Sequence, residues 1–266
     1  MSEENVKKEE QNKKRGPLFL ILLLLAVALI VGGAVYTGYY LYSQYDAAQR
    51  QAELDSLAKT TVAVDDSVKN PIDFKSLHKK NDEIYAWLKI PGTNVDYPVV
   101  QSKSDDLFYL NHSATDKAFS KPGALYTESK NSLDFTDRVT VIYGHNGYKD
   151  IMFTELHKFE SESFFDKYDT FYIYTEDSKL TYKIVSAFKY DNRHILNSMN
   201  FQINQVYLEF LNTVKKPESA LKNVRKDLDK SLTINDNIVV LSTCIQHQAS
   251  NRFLVCGVLV KNEKTN

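Results

Sequence analysis

The residues best suited to covalent chemistry stand close together near the end of this sequence. The apolar, β-branched run Val239-Val240-Leu241-Ser242-Thr243-Cys244 ends on a cysteine, and Arg252 follows eight residues later at the start of a second apolar run. Runs of this kind read as strands. The pair therefore predicts a β-hairpin or short-looped strand pair, with a thiol where the first strand stops and a guanidinium where the next begins. A reactive cysteine needs a cationic, partly exposed setting, and a sheet rim beside an arginine supplies one. The third piece lies earlier, in Val139-Thr-Val-Ile-Tyr143-Gly144-His145, another buried-strand pattern that ends in Gly-His.

Each of these residues has an ordinary structural use. A lone cysteine is most often a small buried hydrophobe, which is the expectation for Cys256 in mid-strand. A histidine after a strand usually sits on the surface, as expected here for His78, His157 and His194. An arginine at a strand start usually makes a surface ion pair of little worth. The conjunction decides between the readings, because His145, Cys244 and Arg252 all fall at strand ends that could share one barrel rim.

Competing chemistries find little support. There is no Gly-rich phosphate loop and no His-Glu-x-x-His or Cys-x-x-Cys spacing, so no metal or other cofactor is called for. The acidic residues are spread along surface-like faces and single out no carboxylate pair. Lys215-Lys216 and the run from Lys222 to Lys230 read as a solvated face. A net charge of −1 over 266 residues gives no electrostatic case for nucleic acid. Two cysteines are too few for a disulfide framework in a chain of this size.

The elements that must position the three residues read as mainly β. Strand patterns fall at Ile84–Ile90, Tyr97–Gln101, Gly123–Thr127, Val139–Tyr143, Thr170–Thr175, Leu180–Tyr190, Ile238–Ser242 and Phe253–Val260. Eight short strands with little helix between most of them predict a closed barrel or a sandwich. Phe74 and Leu77 suggest a short opening helix, and Met152, Phe153, Leu156 and Phe159 a short apolar face after His145. Ile203, Val206, Tyr207, Phe210, Leu211 and Val214 recur at helical spacing and predict an amphipathic helix packed on the barrel.

Ahead of this domain lie three segments of different character. Residues 1–16 are polar and carry Lys7, Lys8, Lys13, Lys14 and Arg15. Residues 17–42 hold an uncharged stretch, Leu18 to Val35, that continues through Tyr36, Tyr39, Tyr40 and Tyr42. Its length suits a hydrocarbon core of about 30 Å. A cleaved signal peptide has an apolar core of only about 7–15 residues, and a tyrosine belt suits a membrane interface, so a single-pass anchor is the expectation. The lysines hold the N-terminus in the cytoplasm, which leaves the bulk of the chain outside the cell membrane. Residues 43–71 read as a stalk, helix-forming to Ala58 and then small, polar and acidic. The domain itself is expected over 72–266.

With these residues in view, the sequence resembles the class B sortases. Leu241-Ser242-Thr243-Cys244 is similar to the Thr-Leu-x-Thr-Cys signature, Tyr143-Gly144-His145-Asn146 to the histidine motif, and Arg252-Phe-Leu-Val-Cys-Gly257 to the Arg-x-x-x-x-Gly strand. Trp87-Leu-Lys-Ile-Pro-Gly-Thr-Asn-Val-Asp-Tyr-Pro-Val-Val100, Tyr109-Leu110-Asn111-His112 and a long helix between the sixth and seventh strands add to the likeness. The resemblance implies an eight-stranded sortase-type β-barrel with a few helices, preceded by a transmembrane helix. It also implies a membrane-anchored cysteine transpeptidase of a Gram-positive surface. Such enzymes cleave a C-terminal sorting signal, of the Asn-Pro-x-Thr kind in class B, after threonine and pass the acyl group to an amine of a peptidoglycan precursor or a pilin.

Carried onto this sequence, the resemblance makes Cys244 the nucleophile, His145 the general acid and base, and Arg252 the oxyanion partner. It puts Leu110, Tyr143 and Ser242 around the signal peptide. The acidic residues often found just after the family's cysteine are absent; Ile245, Gln246 and His247 stand there. The residue types suit the reaction. A thioester holds the acyl group while one amine leaves and another arrives. The imidazole protonates the first and deprotonates the second, and a guanidinium offers a fixed fork to the oxyanion. Two rivals stay open: a hydrolytic cysteine peptidase, and a non-enzymatic surface domain stapled by a Cys244–Cys256 bridge. Spacing speaks against the bridge. Cys256 lies four residues beyond Arg252, about 13 Å along a strand at roughly 3.3 Å per residue, and a bridge needs Cα atoms within about 7 Å.

Overall fold

A computed structural model of the chain describes residues 3–58, 69–147, 151–226, 228, 231–245 and 248–265. Residues 59–68 of the expected stalk, Asp227, Asp229 and Lys230 of the charge run, Gln246, His247 and the first two residues of the polar tail lie outside them. The chain divides into two compact units, Met1–Gln49 and Arg50–Asn266. Helix α1 covers Glu3–Ala58. Its stretch Pro17–Arg50, 34 residues, is long and apolar enough to cross a membrane.

In the second unit, Asp73 caps α2 (Phe74–His78) by accepting from the Ser76 N–H at 3.0 Å, and Phe74 and Leu77 are buried beneath it. The strands follow as β1 (Ile84–Lys89), β2 (Asp96–Val100), β3 (Leu125–Tyr126), β4 (Val139–Tyr143), β5 (Thr170–Tyr174), β6 (Ser178–Asp191), β7 (Lys222–Val224), β8 (Ile238–Ile245) and β9 (Gln248–Lys264). Neighbouring strands run β5-β1-β2-β3-β4-β8-β9-β6, and β5 pairs again with β6. The ring closes as an eight-stranded barrel, and closure removes the open edges that would otherwise invite aggregation. The β2–β3 and β4–β8 pairs are parallel.

Each predicted strand forms, with informative shifts at the ends. β8 continues to Ile245 and β9 begins at Gln248, so Arg252 lies inside β9 rather than at its start. The backbone ladder runs past the apolar residues because the hydrogen bonds do not depend on side-chain type. β7 is a strand that the charge run around Lys222 concealed; it adds to the outside of β6, pairing Lys222 with Phe188. The face after His145 forms a 3₁₀ helix (Phe153–Glu160), followed by the short α3 (Glu162–Lys167) and α4 (Ile195–Ser198). The amphipathic helix is α5 (Asn204–Lys215), with Tyr207, Phe210, Leu211 and Val214 buried. Ile203 precedes it and is 50% exposed, so the stripe begins later than its spacing suggests.

Strand alternation sorts the core into two layers. Val239, Leu241, Phe253, Val255 and Ile142 point into the barrel, which Phe153, Leu156 and Phe159 of the 3₁₀ helix plug. Ile238, Val240, Leu254, Cys256, Val139 and Val141 point outward and are covered by α5.

Candidate active site

The same alternation places the reactive residues. Ser242 and Cys244 share the outward face of β8 with Val240, Arg252 shares that of β9 with Leu254, and Tyr143 shares that of β4 with Val141. The site therefore forms on the outer wall of the barrel, close to its strand ends rather than on the rim itself, just beyond the surface that α5 covers. Register brings the pieces together. Cys244 is the direct cross-strand partner of Arg252, and Tyr143 that of Ser242. The parallel ladder continues one step as Gly144 N–H donates to the Ser242 carbonyl at 3.1 Å, which delivers His145 beside Cys244. A Cβ on Gly144 would lie 2.5 Å from Leu125 and 2.6 Å from Phe153, so no larger residue passes at this point.

Leu110, Tyr143, His145, Ser242, Cys244 and Arg252 all line one pocket of about 240 Å³. A larger open groove of about 1100 Å³ runs along β6 and the end of α5 and holds none of them. Cys244 is exposed and Cys256 buried, and both are free thiols. The stapled surface domain is thereby excluded as the state of this structure. Burial pushes the Cys256 thiol far up, with a Ser186 hydrogen bond opposing, so Cys256 stays protonated and inert.

His145 Nε2 donates to the Leu110 carbonyl at 2.7 Å. Leu110 ends a short 3₁₀ turn, Phe108–Leu110, backed by Gly123, whose φ of +61° is one that favours glycine and whose Cβ would meet the Leu110 oxygen at 2.4 Å. Arg252 Nη1 donates to the Asn251 carbonyl at 3.1 Å. Tyr143 stacks on Tyr126 with ring centres 5.4 Å apart. Burial foremost, then the charge of Glu128, drives both phenols well above their ordinary range, so both remain protonated. The Tyr143 hydroxyl and the Thr243 hydroxyl are buried with no hydrogen-bond partner among the described residues.

Residues that carried no signal in the sequence complete the surroundings. Glu128, 4% exposed, accepts from His194 Nε2 at 2.8 Å in the pocket wall. His157 stacks on Phe253 and, with Asn146, contacts the Cys244 main-chain carbonyl. Both histidines are half-buried, against the expectation of surface positions. His78 is half-buried too, its Nε2 bonded to the Ile84 carbonyl at 2.7 Å. Their strand-distant partners, 66 and 87 residues away, made these places invisible to local pattern; a histidine directly after the core residue Leu156 was the one available hint.

A sortase domain family model matches residues 88–260. Sortase B of Staphylococcus aureus is 28% identical over 190 residues, covering 71% of this chain and 75% of that protein. The crystal structure of sortase B from B. anthracis in complex with AAEK1 superposes with a TM-score of 0.69 at 26% identity, covering 83% of this chain and 99% of that one. That of Spy0129, a Streptococcus pyogenes class B sortase involved in pilus biogenesis, gives 0.60 at 32% identity, covering 72% and 100%.

Proposed function

This chain belongs to the sortase family, as a class B cysteine transpeptidase, and from that premise we propose that it joins surface proteins to a cell-wall amine. In this reading one N-terminal helix holds the enzyme on the cell membrane, with the catalytic domain outside, and the substrate is a C-terminal sorting signal of the Asn-Pro-x-Thr kind. The domain division at 1–16, 17–42, 43–71 and 72–266 belongs to the same proposal.

The Cys244 thiolate attacks the threonine carbonyl, and Arg252 donates to the oxyanion that forms. As the C–N bond breaks, His145 gives a proton to the departing amine, leaving a thioester on Cys244. The incoming amine loses a proton to His145, attacks the thioester, and releases the thiolate. With Nε2–H committed to Leu110, the nitrogen of His145 that exchanges protons is Nδ1. Leu110, Tyr143 and Ser242 line the groove for the signal. The observation that carries this reading is the convergence of an exposed thiol, its cross-strand arginine and the imidazole in one 240 Å³ pocket.

The test is a fluorogenic Asn-Pro-x-Thr peptide incubated with and without oligoglycine. Cys244→Ala should abolish both the acyl-enzyme and the product, whereas Cys256→Ala should keep most of the activity. Amide product should rise with the acceptor. Hydrolysis alone, whatever the acceptor concentration, would establish the peptidase instead. A second reading, pilin polymerisation, takes support from the likeness to Spy0129; transfer to a lysine-bearing pilin peptide in preference to oligoglycine would favour it.

A further inference from the structure

Beyond Gly144, the chain turns away from β8 into the 3₁₀ helix, with Phe153 N–H donating to the His145 carbonyl at 3.0 Å. The last backbone rung between β4 and β8 ends on Ser242. The next carbonyl on that side of β8 belongs to Cys244, and no strand remains to hold it. The Asn146 side chain takes the place of the missing rung, with Nδ2 3.0 Å from the Cys244 oxygen. The same Nδ2 lies 3.1 Å from His157 Nε2, and His157 Nδ1 lies 2.5 Å from Glu160 Oε1.

These contacts fix one hydrogen of the ring. The Glu160 carboxylate can only accept, so His157 Nδ1 carries a proton, and in the neutral ring Nε2 is an acceptor. Asn146 has two N–H groups, and one goes to His157 while the other goes to Cys244. Protonation of the ring would turn Nε2, 3.2 Å from the Cys244 oxygen, into a second donor to that oxygen. The carbonyl is held in either charge state. Stacking of His157 on Phe253, with ring centres 5.1 Å apart, seats the imidazole on the barrel core.

We propose that Glu160, His157 and Asn146 form a positioning relay that grips the main-chain carbonyl of Cys244 and so fixes the thiol at the end of β8. None of the three lines the 240 Å³ pocket; the relay rests on the nucleophilic role proposed for Cys244 and acts through that residue. Misplacement of a reacting group by about 1 Å can cost on the order of 10²-fold in rate. Partial release of the strand end should therefore lower acyl transfer by roughly ten-fold or more while KM, set by the groove, stays within about two-fold.

The full chain in detergent micelles, labelled with cysteine carrying ¹³C at the carbonyl, gives two carbonyl signals because the sequence has two cysteines; Cys256→Ala assigns them. His157→Phe keeps a ring on Phe253 and removes the acceptor. It should shift the Cys244 signal, leave the Cys256 signal in place, and lower kcat for the Asn-Pro-x-Thr peptide. His157→Gln, whose side-chain oxygen can accept near the position of Nε2, should restore both readouts. Asn146→Ala should reproduce His157→Phe, and the double variant should add little, as expected of residues that act as a unit. Should His157→Phe fail to fold, Asn146→Ala carries the test, since it leaves the stacked ring alone. A Cys244 signal unmoved by Asn146→Ala, or a glutamine variant as impaired as the phenylalanine one, overturns the relay. A parent chain that turns over no peptide while the signals move as expected leaves the relay standing and removes the transpeptidase reading instead.

Discussion

Arg252 poses the sharpest question at the scale of single residues, because two roles fit a guanidinium opposite a thiol. If it acted only as a positive charge that favours thiolate, Arg252→Lys would keep most activity. If its fork donates to the oxyanion, lysine cannot reproduce the bond directions. The register of β8 and β9, which sets Cys244 directly across from Arg252, favours the second role. Loss of a preorganised oxyanion donor costs about 10²–10³ in turnover, so Arg252→Lys should fall by that much while iodoacetamide alkylates Cys244 at a near-normal rate. A lysine variant whose alkylation slows in parallel with its turnover would leave only the electrostatic role. Cys244, His145 and Arg252 were singled out in the sequence because each borders an apolar strand pattern, Cys244 and His145 after one and Arg252 before one, with a residue type out of keeping with it. His157 and His194 were not, because what distinguishes them is a partner far along the chain, Cys244 in one case and Glu128 in the other.

At the scale of elements, one device stands behind the imidazole of His145. The turn that ends in Leu110 supplies the carbonyl to His145, and Tyr109 beside it ties that turn to the start of β1. The Tyr109 hydroxyl donates to Glu83 Oε2 at 2.5 Å and accepts from Asn81 Nδ2 at 2.7 Å. Glu83 also accepts from the Lys103 N–H and pairs with Lys117. Burial would raise the Glu83 carboxyl, but these bonds outweigh it and hold the group below its ordinary value of 4.5. Between the lowered value and 4.5 the unfolded chain binds more protons than the folded one, so stability rises with pH there. The contribution is complete above 4.5 and is lost as pH falls through the folded value. Thermal unfolding from pH 7 to 3 should thus show a smaller acid loss for Glu83→Gln than for the parent; equal losses would mean that Glu83 titrates normally. Tyr109→Phe strips the carboxylate of a buried donor, a loss of about 1–3 kcal/mol, measurable by denaturant unfolding at pH 7, and no change in stability there would discount the tie. None of this was readable from Tyr109-Leu110-Asn111-His112, where neither helix nor strand periodicity appears. The strands were readable because a barrel wall buried on both faces leaves continuous apolar, β-branched runs, whereas β7 was hidden by a charged sequence that pairs only through its backbone.

For the whole molecule, the eight-stranded ring was foreseeable from the number and spacing of strand patterns, but its closure through β5 and β6 was not, since pairing order leaves no local trace. The proposed orientation of the chain is, by contrast, a matter of charge that the sequence states openly. Five basic residues, Lys7, Lys8, Lys13, Lys14 and Arg15, precede the apolar stretch, and the first basic residue after it is Arg50. Short basic flanks stay on the cytoplasmic side, so the proposed single span would put the domain that follows it outside. Attach an epitope tag ahead of residue 1 and treat intact protoplasts with protease. The domain should be lost by cleavage within residues 43–71, while the tag stays membrane-bound and is digested only after permeabilisation. Replacing the five basic residues with glutamine should weaken this bias and protect a fraction of the domain. If the domain resists protease in intact protoplasts and the tag does not, the orientation is reversed. A domain found free in the medium, with the tag removed, would instead mean that the apolar stretch is cleaved as a signal peptide.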